Sequence, residues 1–240
     1  AEYAAYLAAK GGARAVILND AGVGKDNAGV SGLPFMDDLG ISAATVGYQT
    51  ARIGDGADMM ARGIISHVNT AAATLGCATG WACQDCADLM RTAPLISAKP
   101  QTQTERRILL RKTAGAPPVW GIDSASLVVP DDANHILICG SHGEALGGKP
   151  ETALRYDAIA AVFNDAGIGI DDAGISRLPA LDGRNIPAAT VSAASARIGN
   201  AQSIYDEGVI SRVNESAALR GGQPGLTTAA FVDAIIASLR

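Results

Sequence analysis

The sequence predicts an α/β fold made by internal duplication: two pseudo-twofold-related lobes, each with a mostly parallel sheet flanked by helices. Two observations carry this. Residues 19–81 recur at 164–226 without insertion, and 30 of the 63 aligned positions are identical. Short apolar runs of strand length also alternate with stretches of helical spacing, the pattern of a parallel sheet covered by helices. The repeat is not low complexity, because polar residues keep their order: NDAGVGKDNAGVSGLP against NDAGIGIDDAGISRLP, then AATV, ARIG and IS-x-VN.

The second half reads as the complete copy. Asn134 to Cys139 (NHILIC) is apolar enough for a buried strand and runs into the small-residue loop GSHG at 140–143. Pro150 to Tyr156 is read as helical, with proline suited to a first turn. Ala158 to Phe163 is the next strand and Ile170 to Leu181 a short helix with an irregular start. Pro187 to Ser192 is the third strand. Residues 201–206 form a helical turn, 209–220 a helix or a short strand and helix, and Thr227 to Leu239 a closing helix with apolar residues at helical spacing.

The first half repeats this order: a helix at 2–10, strands at 14–19 and 41–46, and a closing helix near 83–90. The counterpart of GSHG falls just before Ala1, so either more chain precedes Ala1 or the first copy borrows a strand from elsewhere. Residues 91–130 have no counterpart. They hold Pro94, Pro100, Pro117 and Pro118 and a charged stretch near 104–113, read as helical, and Gly121 to Val129 is read as an added strand of the second lobe. The expected division is a first lobe at 1–90, a linker or arm at 91–120 and a second lobe at 121–240.

Composition excludes several function classes. The formal charge is −5, and the best basic cluster, Arg106, Arg107, Arg111 and Lys112, is too small for a duplex footprint, so nucleic acid is not an expected partner. No apolar stretch is long enough to span a membrane, and cytoplasm is the default location. Cys77, Cys83, Cys86 and Cys139 are read as buried, reduced thiols. The second copy offers Gly222, Thr228 and Phe231 where the first has Cys77, Cys83 and Cys86, so no shared chemistry rests on that C-x-x-C pair. A homo-oligomer, with a dimer as base-rate choice, is expected.

Ligands on open parallel sheets sit beyond the carboxyl ends of the strands, and those ends are polar here. His142 directly follows an apolar strand, and its near-neutral intrinsic pKa suits proton transfer. Asp165, at the adjacent strand end, is expected to orient it. Ser141 and Ser195 are candidate nucleophiles, although no G-x-S-x-G elbow is present. The run Asn164-Asp165-Ala166-Gly167-Ile168-Gly169 lacks dinucleotide or nucleotide-loop spacing, and tight turns built from Asn and Asp beside Gly are its competing explanation. Asn164, Gly167, Gly169 and Asp171 are candidate substrate contacts, as are Asn19, Asp20 and Asp26 in the first copy. Arg52 and Arg197, each in A-R-I-G, are candidate carboxylate clamps, with an ion pair inside each lobe as the alternative. Asp123, His142, Asp165 and Asp171 are hard metal ligands without a metal-binding spacing, so no metal and no cofactor is expected. These parts point to a small-molecule enzyme using acid–base chemistry on a polar carboxylate- or amide-bearing substrate, hydrolysis first, with isomerase or lyase chemistry on the same residues. The alternatives are a non-catalytic ligand-binding or regulatory protein and an assembly protein.

Overall fold

A computed structural model describes residues 2–240. It is an α/β structure with a three-stranded and a six-stranded sheet flanked by helices. The small sheet has the order β1 (Ala15–Asn19), β2 (Ser42–Val46), β3 (Ile65–Val68). β1 and β2 are parallel, and β2 and β3 antiparallel. The large sheet runs β4 (Arg107–Arg111), β5 (Val119–Ile122), β6 (Ile136–His142), β7 (Ala160–Asn164), β8 (Ala188–Val191), β9 (Ile210–Val213). Its four central strands are parallel, and β4 and β9 are antiparallel edges. β1–β2–β3 and β7–β8–β9 therefore pair in the same sense.

The helices are α1 (Glu2–Lys10), α2 (Gly32–Asp38), α3 (Gly56–Arg62), α4 (Thr70–Leu75), α5 (Cys83–Met90), α6 (Arg177–Asp182), α7 (Ala201–Glu207), α8 (Glu215–Ala218) and α9 (Thr228–Ala237). Several start on side-chain caps: Asp55 accepts from the Asp58 amide, Asn200 from Ser203, and Thr227 from Ala230. Asn69 and Asn214 cap α4 and α8, and each also pairs with the neighbouring strand through Ala43 and Ala188.

Three expected elements differ. The charged stretch at 104–113 is the strand β4, not a helix. Its residues meet the open side of β5, and a ladder partner there outweighs helical propensity. The arginines then reach acids on other elements, Arg106 to Asp123, Arg107 to Asp132 and Arg111 to Asp233, so all three are ion-paired. Residues 150–156 form only a short 3₁₀ turn at Pro150–Thr152, because Arg177 takes the carbonyls of Thr152 and Ala153. Gly121 to Val129 supplies the end of β5 and a 3₁₀ turn rather than a separate strand.

The large sheet is packed on both faces. Ile136, Ile138 and Val162 meet Ile204, Phe231, Val232 and Ile235 from α7 and α9. Leu137, Cys139 and Phe163 meet Leu154, Leu178 and Leu181 on the other face. No helix of the described residues is long and apolar enough to cross a membrane.

Candidate functional site

The two Asn-Asp-Ala-Gly loops leave the ends of β1 and β7 and meet each other. In each, the first asparagine is locked: Asn19 donates to the Ala51 carbonyl and accepts from Ala21, and Asn164 does the same with Ala196 and Ala166. Asp20 accepts from the amides of Gly22 and Tyr48, and Asp165 from those of Gly167 and Ala193. Each loop is tied to a turn of the other sheet by a backbone hydrogen bond, Lys25 N–H to the Ala193 carbonyl after β8 (2.8 Å) and Ile170 N–H to the Tyr48 carbonyl after β2 (3.0 Å). Arg52 pairs with Asp171 at 3.0 Å, and Arg197 with Asp26 at 3.5 Å. Arg62 also reaches Asp171, and Lys25 reaches Glu207. The loops hold left-handed β-branched residues, Val23 at φ 59° and Ile168 at φ 68°. That strain is sustained only because these bonds over-determine the backbone.

Asn164, Asp165, Gly167, Gly169 and Asp171 thus lie at a packed junction. Gly167 and Gly169 have positive φ, and a Cβ on either would collide with Tyr48. Ser195 is elsewhere as well: its hydroxyl donates to the Ser192 carbonyl and accepts from the Val209 amide, closing a turn.

The solvent-reachable hollow lies beside this junction, a cleft of about 880 Å³. Its floor is the carboxyl ends of β1, β5 and β6, and it collects Asn19, Asp26, Ser141, His142 and Arg197 from the expected set. Asp20, Arg52 and Asp165 are not among its lining residues. The cleft adds groups that the sequence did not single out. Glu105 lines it from the segment before β4, with Asp55 at the start of α3. Ser141 accepts from the Ala125 amide, which fixes its hydroxyl.

His142 ends β6 opposite Asn164. Burial and then the nearby Arg177 cation depress its pKa to about 3. The Glu144 amide donates to its Nδ1 at 3.2 Å, so the neutral ring carries its proton on Nε2. Glu144 is 1% exposed, and its Oε2 is a buried polar atom without a hydrogen-bond partner. Burial, then Asp55, pushes its carboxyl up to about 7, with Arg52 opposing. His142 Cε1 and Glu144 Oε2 lie 3.2 and 3.6 Å from the point where Gly54 would carry a Cβ. Glu105 is also held above the usual carboxylate range, first by burial and then by the charge of Asp123, against hydrogen bonds from Ser124 and Ser126. No signal in the sequence distinguishes Glu105, and Glu144 has only its place in GSHGEA.

Arg177 explains part of this field. It is 2% exposed, donates to the carbonyls of His142, Thr152 and Ala153, and stacks over Phe163. The four cysteines are free and buried, and burial drives Cys86 up to about 12 and Cys83 and Cys139 upward. Among the described residues no group of three metal-ligating side chains converges. No protein-family model, curated protein or solved structure matches the chain.

Proposed function

We propose that this protein is a small-molecule enzyme working by acid–base chemistry in the cleft. The carrying observation is that two groups lining it, His142 at about 3 and Glu105 shifted upward, and the buried Glu144 next to His142, at about 7, are displaced toward their neutral forms. Groups poised in this way mark sites of proton transfer. In this reading the neutral His142 donates from Nε2 to an oxygen of the substrate, where negative charge develops. Glu105, which faces the cleft, exchanges the proton with the substrate or with an attacking water. Glu144 sits behind His142 and tunes it. Arg197 holds a substrate carboxylate or amide oxygen. Hydrolysis by water is the first expected reaction, and isomerisation or elimination would use the same groups.

The two lobes are, in this reading, copies of one unit related by a pseudo-twofold axis at the loop junction. The paired bonds Lys25–Ala193 and Ile170–Tyr48, and the ion pairs Arg52–Asp171 and Arg197–Asp26, join positions that differ by 145 residues, and this supports it. A second reading, a ligand-binding protein, is favoured by one observation: Ser141 and Ser195 are both engaged as turn and loop ties, so neither is an activated nucleophile.

The test is a panel of cyclic amides, carboxylic acids and their esters. On the best substrate, Glu105→Gln and His142→Ala each lower kcat by about 10²–10⁴-fold, the usual share of a general acid or base, with KM within a few-fold. Variants within threefold of the parent overturn the reading, and saturable binding without turnover moves the protein to the binding class.

A further inference from the structure

Glu144 carries a buried carboxyl oxygen with nothing to bond. The residue is 1% exposed, and Oε2 has no hydrogen-bond partner among the described residues. A buried acceptor in that state is costly until a donor reaches it. The oxygen is aimed at the turn Ile53–Asp55, which lines the cleft. Gly54 leaves a small space there. The place a Cβ would take is bounded by His142 Cε1 and Leu146 Cδ2, both at 3.2 Å, and by Glu144 Oε2 at 3.6 Å.

Asp55 follows in the chain, and its charge is not needed for the bond it makes. Its Oδ1 accepts from the Asp58 amide and starts α3. Asn200, 145 positions later, starts α7 in the same way, with φ −135° and ψ 97° against φ −121° and ψ 92° at Asp55. A neutral amide therefore serves this cap. Position 55 is nevertheless an acid, it lines the cleft, and it forms no ion pair among the described residues.

The neighbouring cations are committed to other groups. Arg52 bonds Asp171, Arg62 bonds Asp58 and Asp171, and Arg177 is held by the carbonyls of His142, Thr152 and Ala153. The groups that face the Glu144 carboxyl are Asp55, Asp58 and Arg52 from the turn and α3, Arg177 from α6, and the His142 ring from β6. Burial and then Asp55 hold the carboxyl at about 7, against Arg52 and Arg177.

We propose that Asp55 and Glu144 bind a primary ammonium group of the substrate beside the edge of the His142 ring. An ammonium has three donors and no acceptor. One donor goes to Asp55 and one to Glu144 Oε2. The narrow space at Gly54 suits a nitrogen that carries hydrogens and excludes one that carries methyl groups. A hard divalent metal needs at least about six oxygen ligands, and two carboxylates do not supply them. The inference rests on the enzyme reading and narrows its substrate class to amides or carboxylates that also bear an amine, with the ammonium at Asp55 and the other polar end at Arg197.

The test uses the full chain, with the Glu144 carboxyl followed by carbon-13 NMR and methylammonium chloride as the probe. Sodium chloride keeps ionic strength equal in every sample. Saturating methylammonium is expected to lower the Glu144 titration midpoint by at least about 1 pH unit, because a cation favours the ionised form. By linkage, methylammonium then binds at least about tenfold more tightly at pH 8 than at pH 5.5. Asp55→Asn keeps the cap, checked by circular dichroism, and weakens binding by about fivefold, the upper range for a partly exposed pair. Glu144→Gln removes the pH dependence of binding, and tetramethylammonium leaves the midpoint of the parent unchanged. The proposal is overturned if methylammonium does no more than the sodium it replaces, if tetramethylammonium does as much, or if both variants bind methylammonium as the parent does. No arm reads turnover, so failure here leaves the enzyme reading to its own substrate panel, and failure of that panel leaves ammonium binding intact.

Discussion

Gly22 and Gly167 pack backbone against backbone. A Cβ on Gly22 would lie 2.9 Å from the Gly167 Cα, and one on Gly167 would lie 3.0 Å from the Gly22 Cα. Both have positive φ, 74° and 78°. This contact lets the two polar loops approach closely enough for Lys25 and Ile170 to bond across the junction. The residues that look most functional in the sequence are thereby used to join the loops of the two sheets, and the cleft lies beside them.

Gly22→Ala is expected to destabilise the protein by about 2–5 kcal/mol, combining a left-handed backbone penalty of about 1–2 with an overpacking term of about 1–3. Gly40 supplies the control: its φ is 70°, but a Cβ there meets nothing within 4 Å. Gly40→Ala therefore carries only the backbone part. Urea denaturation of the two variants measures the difference. Equal losses would show that the glycine contact is not close-packed.

Asp132 is fully buried and bonds to Arg107, the Val129 amide and His135. Burial pushes its carboxyl up, but these hydrogen bonds outweigh it and the net shift is downward. Asp132→Ala should cost about 3 kcal/mol at neutral pH, the low end for a broken buried pair because Arg107 retains some solvent. The pH dependence follows from the lowered value. The advantage of the parent over the variant is full above about pH 4, where an unfolded aspartate is ionised, and is lost as pH falls through the lower folded value. Parallel urea titrations from neutral to acid pH measure it, and a gap that stays constant down to strong acid contradicts it.

Glu144 behaves in the opposite sense. Its folded pKa, about 7, exceeds the unfolded value of about 4.3, so the folded chain binds the extra proton and stability falls as pH rises between those values. Glu144→Gln should be more stable than the parent by about 3–4 kcal/mol at mildly alkaline pH and equal to it near pH 4. His142, depressed to about 3, contributes stability that rises from pH 3 to about 6.5, so the two effects partly cancel in the parent. Removing Glu144 exposes the His142 slope. A variant no more stable than the parent at alkaline pH would mean that Glu144 is hydrated.

The sequence by itself determined the elements whose pattern is local. α1 and α5 fall where their spacing and termini put them, and β1, β2, β7 and β8 start and stop within two residues of the apolar runs that predict them. Those elements are specified locally, by apolar runs and helical spacing. Tertiary structure decided the rest. Residues 107–111 became a strand because β5 had an open side, and Asp20 and Asp165 were taken by amides that lie 28 positions further along the chain at Tyr48 and Ala193. His142 and Glu105 come to line one cleft, with Glu144 buried beside His142, only on folding, since desolvation and the Arg177 cation act through space. An ionisation state set by burial has no signature in the order of residues, which is why Glu105 could be found only in the folded chain.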